Sequence, residues 1–318
     1  VTERQFLSLG GTEYNCAGGA TPWGSWLSCE ECFEYEGSIR YFDAAARRDR
    51  KHGYVFEVDA YSDELVDAVP IKAMGRFEHE ACAIHEPTGI VYMTEDRQYG
   101  LFYRYIPDVP GKLIEGGLLQ ALIIKDRPSA QTHNWSAMPD VALNKPYETA
   151  WVDVGDPDPA DNNLRLTGAK LGAATFARGE GLCDAGDRFA FTCTEGGHAH
   201  VGQVFTYKPS PFEGTTGEQD EPGELMLIAE SSRDSLLQNA DNLVMAPWGD
   251  LIVCEDTAGH CGLVGIRPDG TQYALADNTY SNSELAGACF SPDGKILFVN
   301  IQHPGMTLAI TGPWPTPG

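Results

Sequence analysis

With 318 residues, 42% of them hydrophobic, the chain can bury a substantial core, yet it has no apolar run long enough to span a bilayer. Lysine and arginine total 22 against 46 aspartate and glutamate, and the resulting net charge of −24 repels a phosphate backbone and excludes nucleic acid as a partner. The 35 glycines and 20 prolines favour many short strands joined by turns over long helices.

The chain opens on Val1 without the charged and apolar regions of a signal peptide, so any export signal is read as removed or never present. The stretch from Asn15 to Glu31 then begins on a thiol, Cys16, and ends on a thiol and two acids, Cys29, Glu30 and Glu31. Gly18, Gly19, Pro22 and Gly24 place turns within it, and Trp23 to Ser28 reads as a short strand. Such a stretch can offer one soft and one hard ligand to a metal, or it can be a buried turn with two small apolar cysteines. The nine cysteines cannot all pair, and none of their spacings makes a structural zinc site, so most are read as core packing.

From residue 77 onward one pattern recurs: a polar residue, a small apolar run, a glycine turn, then an apolar strand ending in a polar or acidic residue. It runs over Phe77–Asp96, Arg178–Glu195, Ala240–Asp256 and Ser283–Asn300. The turns Pro-Thr-Gly, Ala-Gly-Asp, Pro-Trp-Gly-Asp and Pro-Asp-Gly make each a β-hairpin. A third, aromatic or amphipathic strand follows most of them at Gly100–Tyr105, Gly202–Tyr207 and Cys261–Ile266, and Gly53–Asp59 plays that part after the opening stretch. An irregular repeat of three or four antiparallel strands predicts a β-propeller, all-β, as a single domain over residues 1–318. Spacing leaves room for another blade and insertions around 110–160, and 156–163 and 209–223 read as surface loops.

The first strand of each propeller blade lines the central channel. Those positions carry Glu78 and Glu80, Arg178 and Glu180, Asp241 and Asn242, and Glu284; the strand ends Glu95/Asp96 and Glu255/Asp256 could join them or remain solvated acids. Like charges converging in one channel become tolerable around cations: oxygen-rich rings suit calcium, and a thiolate with carboxylates suits iron or zinc. Arg178 shares a strand face with Glu180, where it can tie down carboxylates or receive an anion bidentately. His79 alternates with its acidic neighbours and is read as a packed residue, while His198 and His200 sit in a loop. No serine elbow, phosphate-binding loop or dinucleotide fingerprint is present.

Several strings resemble the PhoX-type alkaline phosphatases over nearly the whole chain, from Asn15 to Trp314: the Asn15–Glu31 stretch, His52–Asp59, Ala73–Glu80, Ala177–Gly181, Asp241–Leu243, Ser283–Gly294 and Ile310–Trp314. The resemblance implies a six-bladed β-propeller with loop insertions, whose channel holds an iron–calcium cluster. It implies that Cys16 binds iron, that Glu31, Glu80 and Glu180 are cluster ligands, and that Arg178 binds phosphate. Asp96, Asp241, Asn242, Glu255 and Asp256 are similar to the family's calcium-side residues. A calcium-dependent phosphomonoesterase acting in the periplasm or secreted, on a small-molecule phosphate ester, is the expectation, and a monomer is expected. The chain is shorter than typical members, and the His198/His200 loop departs from their pattern. Hydrolysis of a phosphodiester or lactone at a calcium-centred propeller, and a non-catalytic calcium-stabilised binding module, are the alternatives.

Overall fold

Near-continuous apolar runs give the middle strands of the recurring hairpins two buried faces, and the result is a row of antiparallel sheets packed face to face. The structure, a computed structural model, describes residues 4–40 and 43–315. Five antiparallel sheets, the first three of them joined at their edges into one twelve-stranded array, follow one another along the chain, with two further two-stranded pairs beside them. The first contains Asn15–Ala20, Ser25–Glu30 and Val55–Asp59; the second His79–His85, Ile90–Glu95, Phe102–Pro107 and Gly117–Ile124. The third contains Gly179–Asp184, Phe189–Cys193, Gln203–Lys208 and Glu224–Glu230; the fourth Ala240–Met245, Leu251–Glu255, Gly262–Ile266 and Gln272–Asp277; the fifth Leu285–Phe290, Ile296–Ile301 and Met306–Thr311.

Four apolar cores join these five sheets in sequence. Leu27 and Val55 pack on Ile84 and Val91; Tyr92 and Phe102 on Phe191 and Phe205; Val204 on Val253 and Val264; Ile252 and Cys254 on Leu297 and Val299. Val253 faces one core while its neighbours Ile252 and Cys254 face the next, as adjacent residues of a strand must. This is a propeller-like arrangement, mostly β, as the repeats predict. The expected room around 110–160 is filled by outer strands: Gly117–Ile124 completes the second sheet, and Pro146–Asp153 pairs with both it and Glu224–Glu230, tying the second sheet to the third. Five such units are built by the described residues.

The first strand of every sheet carries the same irregularity. Between Cys16 and Gly19, His79 and Cys82, Gly179 and Leu182, Ala240 and Leu243, and Ala286 and Cys289, three steps on the inner strand match two on its partner. Each is a β-bulge, which inserts one residue, bends the strand and re-aims a side chain. The first extra residue is in turn Ala17, Glu80, Glu180, Asp241 and Gly287. Glycine permits the crowding this causes: a Cβ on Gly181 would lie 2.8 Å from the Asn242 Cα and the Asp241 carbonyl oxygen.

Candidate metal centre

The five bulged strands converge on a cavity of about 420 Å³, lined among others by Cys16, Glu31, Glu80, Arg178, Glu180 and Asp241. Ligand atoms there fall into four overlapping groups, within each of which all atoms lie within 4.8 Å of one another. They are Cys16–Glu31–Glu80, Glu31–Asp96–Glu180, Glu80–Glu180–Asp241 and Asp241–Asp256–Glu284. One thiol and seven carboxylates thus form a continuous chain across the cavity, and a single arginine accompanies them.

Arg178 holds two of the acids. Its Nε and Nη2 donate to the two oxygens of Asp96 at 2.7 and 2.9 Å, and Nη2 also donates to Glu180 Oε1 at 2.8 Å. Its Nη1 makes only a 4.0 Å contact with Glu195. The residue sits in the left-handed region at φ 56°, between the short strand Phe176–Ala177 and the bulged strand, a conformation that costs an arginine about 1–3 kcal/mol. Burial alone would raise the Asp96 carboxyl, but the Arg178 bonds outweigh it and hold it below the usual range. Those bonds in turn push the guanidinium further up.

Five of the other acids shift the other way. Burial, then the hydrogen bond with Asp96, pushes Glu31 up to about 8. Burial and Asp256 push Asp241 up to about 7, and burial with Asp241 pushes Glu284 up to about 8. Glu80 and Glu180, 2% and 4% exposed, are raised by burial and by neighbouring carboxylates. Cys16 donates to Glu80 Oε1 at 3.2 Å, and desolvation followed by Glu80 and Glu31 drives its thiol well up. Glu80 Oε2 is buried with no partner. An unpartnered buried carboxylate oxygen beside so many like charges fits a site completed by cations, and the set, one sulfur amid oxygens, fits one softer and one harder ion.

Of the residues expected from sequence, Cys16, Glu31, Glu80, Asp96, Glu180, Asp241, Asp256 and Arg178 are brought together here. Asn242 lines the cavity, but its Oδ1 accepts the Ala288 N–H at 2.9 Å. Glu255 does not join them. It is buried, its two oxygens accepting Gln238 N–H at 2.7 Å and Gly262 N–H at 2.9 Å. Glu95 and Glu30 behave alike: Glu95 accepts from Leu101 N–H and the Tyr103 hydroxyl, and Glu30 from the N–H groups of Gly53 and Tyr54. In each acidic doublet the first acid turns back to cap the third strand and the second faces the cavity. Glu78, expected beside Glu80, pairs instead with Arg97 and Asn162. His79 is packed, stacked on Phe77, with burial lowering it to about 3. Glu284, expected among the channel positions, lies in the cavity and in one of the four groups, whereas Asn300 and Gln302 were missed. Their signal is the acid or amide at the start or end of the fifth hairpin, matching the other four.

The division of labour within the doublets is testable. Glu255→Ala leaves the Gln238 and Gly262 N–H groups without their acceptor, so it is expected to cost about 1–3 kcal/mol of stability. Metal content should stay unchanged; denaturant unfolding alongside elemental analysis measures both, and loss of metal with stability intact would reverse the assignment.

Comparison with known proteins bears on the family and the fold. A family model described as alkaline phosphatase PhoX matches residues 1–305. The solved structure of Pseudomonas fluorescens PhoX in complex with vanadate, a transition state analogue, is similar with a TM-score of 0.65 at 21% identity, over 92% of this chain and 65% of that one. The present chain therefore spans just under two thirds of that protein. A streptogramin B lyase structure aligns over 96% of this chain and 71% of its own at 9% identity and a TM-score of 0.40. No curated protein matches.

Proposed function

The chain belongs to the PhoX alkaline phosphatase family, a metal-dependent family, and from that premise we propose that it is a phosphomonoesterase working at an iron–calcium centre. The observation that carries the reading is the chain of one thiol and seven carboxylates around a single arginine in one cavity. Cys16, Glu31 and Glu80 would hold the iron, because a thiolate favours a transition ion, and the oxygen-only groups of Glu180, Asp241, Asp256 and Glu284 would hold calcium. When bound, these ions supply Lewis acidity against the phosphoryl oxygens.

The chain's own residues supply orientation. Asp96 holds the Arg178 fork from one side, leaving Nη1 to meet an anion entering the cavity. A planar, fixed donor set costs little reorganisation as charge grows on a transferring phosphoryl group. No helix among the described residues is long and apolar enough to cross a membrane. The acidic surface opposes nucleic acid, so a small phosphate ester is the proposed substrate, met as a monomer in the periplasm or outside the cell.

Two measurements test the reading. At alkaline pH the protein should hydrolyse p-nitrophenyl phosphate well above bis-p-nitrophenyl phosphate or an aryl lactone; preference for the diester or lactone would defeat it. Cys16→Ser, which keeps size but removes the soft ligand, should lose iron and turnover together while calcium remains. A Cys16→Ser protein with full iron and full activity would reduce the thiol to packing.

A further inference from the structure

Two buried sulfurs face each other behind the metal centre and serve no role in it. Cys29 lies on the second strand of the first sheet and Cys82 on the inner strand of the second, and their Sγ atoms are 3.3 Å apart. Cys29 is fully buried and Cys82 is 2% exposed, within the core that Leu27, Met74 and Phe77 build between these two sheets. Of the nine cysteines, all free thiols in the structure, this pair alone is in sulfur–sulfur contact among the described residues.

The backbone brings the strand beside Cys29 onto the strand of Cys82 at the same point. Gly18 bridges to Ala81 in parallel register, next to Cys82. A Cβ on Gly19 would lie 2.0 Å from the Cys82 carbonyl oxygen, so the two sheets are pressed together at this point with no room for a larger residue.

We propose that Cys29 and Cys82 form a disulfide that staples the first sheet to the second. It would sit two residues before Glu31 and two after Glu80, holding the strands that present both acids. The reaction is thiol–disulfide exchange with a low-molecular-weight disulfide. One thiol loses its proton and attacks the donor, forming a mixed disulfide and releasing one small thiol. The second protein thiolate then displaces the other, so two S–H bonds break, one S–S bond forms, and two electrons pass to the donor. Both sulfurs are buried, so exchange belongs to the stage before the two sheets close over them. The proposal depends neither on the metals nor on the phosphatase reading.

The test is refolding of the whole protein with glutathione disulfide, followed by denaturation, alkylation without reductant, and peptide mapping by mass spectrometry. All but two of the nine cysteines should alkylate, and the peptides carrying Cys29 and Cys82 should appear joined until reductant is added. Cys82→Ala should make Cys29 alkylatable; if that variant does not fold, the wild-type map decides alone. Reduction should lower the melting midpoint by about 5 °C, as expected for a crosslink closing a long loop. Alkylation of all nine, or Cys29 joined to any other cysteine, would overturn the assignment.

Discussion

Arg178→Ala is expected to lower kcat/KM for p-nitrophenyl phosphate by about 10³-fold, with Arg178→Lys recovering about one decade. Lysine restores the charge between Asp96 and Glu180, but not the fork whose Nε and Nη2 grip Asp96 from one side while Nη1 stays toward the cavity. The gap from wild type to the lysine variant therefore measures geometry, and the gap from lysine to alanine measures charge. The left-handed backbone at this position burdens arginine, lysine and alanine alike, so it cancels from the comparison. Glycine would relieve it and confuse the result. Steady-state kinetics at matched metal content is the measurement. An alanine variant within a few-fold of wild type would remove Arg178 from phosphate binding and leave it as a tie between carboxylates.

Removal of metal by EGTA followed by a stronger chelator should take hydrolysis to background, with recovery on adding calcium and iron back. It should also expose a pH dependence that the loaded protein lacks. Glu31 and Glu284 are raised to about 8 and Asp241 to about 7, each first by burial. In the unfolded chain these groups ionise near pH 4. Between those limits the metal-free folded state holds protons that the unfolded state has released, so its stability falls as pH rises. The contribution is intact below about pH 4 and lost by about pH 8. Bound cations reverse the preference by favouring the ionised form, and the loaded protein's melting midpoint should be flatter across that window. Equal pH profiles with and without metal, together with retained activity, would separate the acids from any ion.

The hairpins were legible because their information is local. Phe77–Asp96 contains the strands His79–His85 and Ile90–Glu95, and the aromatic stretch Gly100–Tyr105 overlaps Phe102–Pro107, since turn residues and apolar runs act within a few residues of each other. The convergence of Glu80, Glu180 and Asp241 was legible from the same repeats. Strict alternation then misled at Glu78, which precedes the strand and turns toward Arg97. The doublets could have been divided from sequence, because neighbouring strand residues point opposite ways and only one acid of each pair can face the channel. What neither pattern reveals is the direction, which depends on whether the third strand offers N–H groups to be capped, as Gly53 and Tyr54 do for Glu30. The outer strand Pro146–Asp153 was hidden for a related reason: its two partners lie in different sheets, and no local signal encodes that.

The five equivalent bulges have an effect on how such a centre can change. Because an extra residue in the backbone sets which position looks inward, the address survives whatever is written there: acid at residues 80, 180 and 241, but alanine at 17 and glycine at 287. One vacant seat, at Ala17, thus stands beside three charged ones, while residue 287, at φ 61° and with a Cβ placed 2.7 Å from Asn300 Nδ2, favours glycine. The number of negative groups meeting the ions can be revised one codon at a time, with no strand re-threaded.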